Sequence, residues 1–257
     1  MNKILIIQIC FSIFILAGCS RQQKLDKYVE LYAMPYSIAR NNVSKDQVPV
    51  LHKMLRDKKY APYWHNIART IGYISDDPNS VYALLEYFQR DDSWNLDTYV
   101  KLLGKVESIS YLGYIGGQAA SKIMRSCATS DGAQEMAKNW IDKDFANNFP
   151  AFQVKEKVID RIRYSALIGL ALTGTQENDS FITNLYEQER AYCESNKVKT
   201  YSFQMMADVM SLQDYVSQNG TEAYKNLPAE EKGVAILSNL SKYNKLDWVE
   251  KLGSDGF

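Results

Sequence analysis

The chain has 257 residues, with 30 basic and 30 acidic side chains and a formal net charge of zero. A balanced charge withholds the basic surface that nucleic-acid binding needs, so no nucleic-acid partner is expected. With only 13 glycines and 6 prolines the chain is short of the turn residues that an all-β fold consumes. The expectation is an all-α protein, long enough for one core or for a stack of repeats.

The first twenty residues read MNKILIIQICFSIFILAGCS. Lys3 precedes an apolar run from Ile4 to Ala17, which fits the centre of a secretory signal and is short for a membrane-spanning helix. The run ends in Leu16-Ala17-Gly18-Cys19, which resembles the lipobox of bacterial lipoproteins. The resemblance implies a signal peptide at residues 1–18, with Cys19 becoming the first residue of the mature chain and carrying acyl chains such as palmitate. Several acyl chains anchor stably where one anchors marginally, so the expected location is the cell membrane, lipid-anchored. Ser20 stands where an aspartate often means inner-membrane retention in Gram-negative lipoproteins, so it points to the outer membrane in such a host. The same residues can also be read as an uncleaved anchor, or as a plain secretory signal with an incidental cysteine. Residues 19–24 form a lipidated tether with an extended reach of about 17 Å, which keeps the body near its membrane.

From Val48 the chain reads VPVLHKMLRDKKYAPYWHNIARTIGYISDDPNSVYALLEYFQRDD. Val48, Leu51 and Leu55 fall at helical spacing, residues 58–61 break the pattern, and Trp64, Ile67, Ala68 and Ile71 resume it. Asp77 and Pro78 signal a fresh helix start, and Val81, Leu84, Leu85 and Phe88 form one apolar face after it. A second copy runs from about Leu96 to Cys127. There Leu112-Gly113-Tyr114-Ile115 matches Ile71-Gly72-Tyr73-Ile74, and Ala120, Ile123, Met124 and Cys127 repeat the apolar face. A third, weaker copy is RYSALIGLALTGTQENDSFITNLYEQE, with a turn from Thr173 to Asp179 and an insertion at 128–150 before it.

A period near 41 residues, with paired helices and a Gly-aliphatic-small turn between them, resembles the HEAT repeat, whose pattern IGYISDDPNSVYALLEYFQRD fits. The resemblance covers about residues 45–190 and implies an α-solenoid of stacked antiparallel helix pairs, with no shared catalytic residues. Physically, a helix pair with one apolar stripe cannot bury it alone, so neighbouring copies must dock. Helical caps are expected at both ends: residues 25–42, broken at Pro35, and a C-terminal cap at about 196–257 that closes the open end of the stack. Residues 25–257 then make a single helical repeat domain.

Cys10 leaves with the signal and Cys19 takes lipid, so Cys127 and Cys193 remain where a disulfide is permitted. Cys127 lies ten residues beyond its turn glycine and Cys193 nineteen beyond Gly174. On parallel neighbouring helices the offset is about 13 Å, against the roughly 7 Å a bridge tolerates, so no disulfide is predicted.

The two histidines, His52 and His65, have no partner at zinc-ligand spacing, and Asp76-Asp77 reads as helix capping. There is no HExxH, no Gly-x-Ser-x-Gly, no phosphate-cradling glycine loop and no CxxC. Neither a metal, a cofactor nor a catalytic residue is expected. Tyr60, Tyr63, Trp64 and Tyr73 crowd one stretch and are the candidate binding residues, since such side chains bring large area at little rotamer cost. The opposing reading puts Trp64 in the core with the tyrosines covering loop ends. The basic helix with Lys155, Lys157, Arg161 and Arg163 reads as a solvated face or as a contact for anionic head groups. The expected function is a non-catalytic, membrane-anchored scaffold for a protein partner in the cell envelope. One alternative is a binder of a small molecule or envelope glycan through the Tyr/Trp cluster. Another is an enzyme whose carboxylates, around Asp91, Asp92 or Glu187, the sequence does not reveal.

Overall fold

The computed structural model describes residues 23–26, 28–29, 43–96, 98–141 and 155–249. Cys19, its tether and the break at Pro35 lie outside them. The described residues are helical and contain no strand, so the all-α class holds.

Helix α1, Val48–Arg56, starts with Pro49 in its first turn, where a missing N–H costs nothing. It buries Val48, Leu51, Met54 and Leu55. The break after it winds as a 3₁₀ segment over Lys58–Tyr63, tolerating Pro62. Helix α2, Trp64–Ile74, and helix α3, Asn79–Gln89, flank the predicted turn. There the Asp77 carboxylate accepts the backbone N–H of Asn79 at 2.9 Å, which is the capping the sequence announced. Helices α4, Tyr99–Ile115, and α5, Gly117–Cys127, are separated by Gly116 alone. Gly116 and Gly117 take φ of +74° and +88°, a region other residues enter only with strain.

The insertion proves to be more than a loop. Helix α6, Ser130–Ala137, is capped by the Thr129 hydroxyl, which accepts the N–H of Gly132 at 3.1 Å. Just beyond it Trp140 is buried edge-on against Phe88, with ring centroids 5.6 Å apart. Helices α7, Lys155–Leu172, and α8, Gln176–Asn196, form the third pair. The turn is shorter than the sequence implied: α8 already starts at Gln176, because Glu177 and Asp179 favour the positive end of the helix. Helices α9, Tyr201–Asn219, α10, Thr221–Asn226, α11, Ala229–Leu237, and α12, Leu240–Tyr243, complete the described chain.

Helices α2, α4, α7 and α9 pack side by side in chain order. The second helix of each pair packs on the first helix of the next: α3 on α4, α5 on α7, α8 on α9. Close approaches occur at the repeat glycines. A Cβ on Gly72 would sit 2.5 Å from the Tyr111 Cβ, and one on Gly113 only 2.1 Å from the Gly169 carbonyl oxygen. The C-terminal helices do more than close an end. α9 extends the row, while α10 and α11 turn back along it, and Lys232 on α11 donates to the Tyr73 hydroxyl at 3.3 Å.

Candidate binding cavity

The four candidate aromatics do not share a site. Trp64 is 2% exposed and serves as a core post. Its indole N–H donates to the carbonyls of Met54 and Asp57 at 3.2 Å, and the Arg90 guanidinium lies 3.9 Å from its ring. Burial leaves Trp64 no face for a ligand, which weakens an aromatic platform built on it. Tyr60 and Tyr63 are half-buried against the core, and the Tyr60 hydroxyl donates to Asp26 at 2.8 Å. Tyr73 goes elsewhere, into the wall of a cavity that the other three do not line.

The cavity measures about 360 Å³ and lies between α2, α4 and α7 on one side and α10 and α11 on the other. Its walls carry five tyrosines: Tyr73 from α2, Tyr111 and Tyr114 from α4, Tyr164 from α7 and Tyr224 from α10. Val106, Ile168 and Ile236 supply aliphatic surface between them. Burial pushes the hydroxyls of all five above the usual tyrosine range, so they remain neutral donors and acceptors. Tyr73 and Tyr114, each one residue past a repeat glycine, lie with ring centroids 5.5 Å apart.

Four charged side chains line this cavity: Arg69, Glu107, Arg161 and Lys232. Arg69 donates to the Tyr111 hydroxyl at 3.1 Å and reaches Glu107 at 3.5 Å, while Tyr111 donates to the same carboxylate at 3.0 Å. These three close on one another. Lys232 instead sits among rings, with its Nζ at 4.8 Å from the Tyr73 centroid, 5.7 Å from Tyr224 and 5.8 Å from Tyr114. Burial, and then the nearby cations Arg69 and Lys225, bring its ammonium down to about 8. A second, more polar cavity of about 500 Å³ shares Tyr73 and Tyr114 as walls and carries Lys45, Asp76, Glu222 and Lys225.

Burial covers several other reactive groups. His52 Nε2 lies 2.8 Å from Ser80 Oγ, a nucleophile–base spacing, but Ser80 is 0% exposed and bonded to Ser75 at 2.6 Å, out of reach of a substrate. Asp92 is buried in an ion pair with Lys105, whereas Asp91 and Glu187 stand exposed. Cys127 and Cys193 are free and buried, and burial raises the Cys127 thiol to about 12. Among the described residues, no group of three His, Cys, Asp or Glu side chains is placed to hold a metal. No helix among them is long and apolar enough to cross a membrane. Arg163 is occupied by the Ala128 carbonyl and Asp160, while exposed Arg161 borders the cavity.

The sequence missed most of this site. Tyr114 was legible, since the repeat places it beside Tyr73. Lys232 carried no signal, because it is 159 residues away from the tyrosine it meets. Comparison with protein-family models, with curated proteins and with solved structures gave no match.

Proposed function

We propose that this chain is a bacterial envelope lipoprotein, anchored through acylated Cys19, that acts by binding rather than by catalysis. Its body is an α-solenoid of HEAT-like pairs, and it holds a small molecule with an apolar body in the tyrosine-lined cavity. The observation that carries the reading is that cavity: concave, mostly apolar, with a few converging polar groups, and of the size small-molecule sites have. The solenoid is supported by the chain-order packing of α2, α4, α7 and α9, and by glycines at matching positions on α2 and α4 that both sit at helix crossings. The anchor rests on Leu16-Ala17-Gly18-Cys19.

The test is extraction of the purified lipidated protein with organic solvent and mass spectrometry of what is released. A bound small molecule that disappears in Ile168→Trp, which fills the cavity, supports the reading. An empty protein that binds no member of a small-molecule library rejects it. Labelled palmitate incorporated by the native chain but not by Cys19→Ala checks the anchor.

A protein-scaffold role is the second reading. It is favoured by Val234 and Leu237, 67% and 56% exposed and three residues apart on α11. Crosslinking in cells that recovers one stoichiometric partner, lost on Val234→Glu, would establish it.

A further inference from the structure

We propose that the cavity is selective for an organic anion, a carboxylate or phosphate carried on an aromatic or aliphatic body, with Lys232 and Arg161 receiving the anionic group. The inference rests on the cavity reading above and adds the charge of the ligand. The balance of fixed charge is its first support. Among the residues lining the cavity, Glu107 is the sole acid, and Arg69 and Tyr111 already engage it. Lys232 and Arg161 are then cations in excess. Among the described residues no carboxylate lies within ion-pair distance of Lys232; its polar contact is the Tyr73 hydroxyl.

The second support is the cost of this arrangement. Lys232 is half-buried, and a charge partly withdrawn from water is costly unless it is paired. Here the ring faces of Tyr73, Tyr114 and Tyr224 offset part of that cost, while Arg69 and Lys225 add to it. A bound anion relieves both the repulsion and the desolvation at once. A neutral ligand relieves neither, and a cation worsens both.

The third support is shape. Apart from these charges the cavity presents tyrosine rings and aliphatic side chains, so the anionic group must be attached to an apolar body. A bare inorganic anion would leave Ile168, Ile236 and Val106 uncovered. Tyrosine hydroxyls that stay protonated can donate to the anion's remaining oxygens.

The experiment compares 4-phenylbutyrate with its neutral isostere 4-phenylbutyramide on the mature lipidated protein in mild detergent. Ligand-observed NMR gives both affinities. The carboxylate is expected to bind at least about tenfold more tightly than the amide, the ratio that 1.4 kcal/mol produces. Lys232→Gln is expected to erase that preference while leaving amide binding in place. Arg161 is exposed, so Arg161→Gln does not disturb folding and is expected to reduce the preference on its own. Equal affinities for the two probes would overturn the anion inference and leave the cavity reading standing. A preference unchanged in both variants would also overturn it. Failure of both probes to bind, in native protein that Ile168→Trp does not alter, would remove the cavity reading itself.

Discussion

Replacing a helical glycine with alanine should have opposite signs at two places in this molecule. Alanine is the better helix former by about 1 kcal/mol, so an unobstructed glycine gains from the change. Gly233, in the middle of α11, is exposed, and a Cβ there meets nothing within 4 Å. Gly233→Ala should therefore stabilise by roughly 0.5–1 kcal/mol. Gly113 has the same gain available, but its Cβ would lie 2.1 Å from the Gly169 oxygen and 2.8 Å from the Gly169 carbonyl carbon and Cα. Those atoms are backbone and cannot swing aside. The α4–α7 crossing must open, and overpacking of this kind costs about 1–3 kcal/mol or more. The net expectation for Gly113→Ala is a loss of at least about 2 kcal/mol, since moving a whole helix disturbs many contacts. In a domain of this size each kcal/mol moves Tm by roughly 2–4 °C, so thermal unfolding followed by circular dichroism resolves both shifts. A Gly113→Ala variant as stable as Gly233→Ala would show that the repeat glycine does not set the helix spacing.

Three further outcomes follow from buried polar groups. Lys105, 0% exposed, donates to the carbonyls of Tyr87 and Arg90 at 2.9 Å and pairs with Asp92; burial lowers its ammonium. Lys105→Met leaves Asp92 with Arg90 alone, 3.8 Å away, and should cost about 3 kcal/mol in urea unfolding, of which a second change, Asp92→Asn, recovers a large part. His65, 8% exposed, is held by burial at about 4 instead of 6.5. The unfolded chain therefore takes up a proton below pH 6.5 that the folded chain refuses until about pH 4. Stability should fall as pH drops through that window, by up to about 3 kcal/mol, and His65→Asn should flatten the dependence measured by Tm at several pH values. Asn178 is buried where α5 meets α8; its carbonyl accepts from Arg125 at 2.6 and 3.0 Å, and its amide donates to Ser121 at 2.9 Å and Thr173 at 2.7 Å. Asn178→Ala should cost about 2 kcal/mol by leaving these groups without partners, read from the denaturation midpoint.

Local pattern carried much of the architecture. Apolar residues at helical spacing located α1, α2, α3 and α5 with ends within about three residues, and Asp77 marked a turn by chemistry that acts within four residues. What the sequence withheld depends on contacts between distant segments. In the sequence the insertion reads only as extra length, because its anchor, Trp140, acquires meaning only against Phe88. Trp64 allowed two readings, binding residue or core post, and only distant contacts decide between them: the indole is satisfied by the carbonyls of Met54 and Asp57 and covered by Arg90. Periodicity says which face of a helix is buried. It does not say that α11 will return to α2, and so it cannot reveal a cavity whose wall is completed by Lys232.

The repeat and the cavity are two consequences of one sequence device. Glycine at the crossing lets α2, α4 and α7 approach closely, and in the first two copies the residue that follows it lines the cavity. In the first two copies that residue is tyrosine, and docking places Tyr73 and Tyr114 ring beside ring. In the third helix the crossing glycine is Gly169, followed by Leu170, which is buried. The corresponding aromatic comes instead from Tyr164, six residues before Leu170. Packing the stack requires the glycine, but it does not require a tyrosine after it; a leucine suffices, as Leu170 demonstrates. Tyrosine at both of the other positions, lining a shared cavity with a lysine delivered there from a distant segment, is better explained by the ligand we propose than by the stability of the stack.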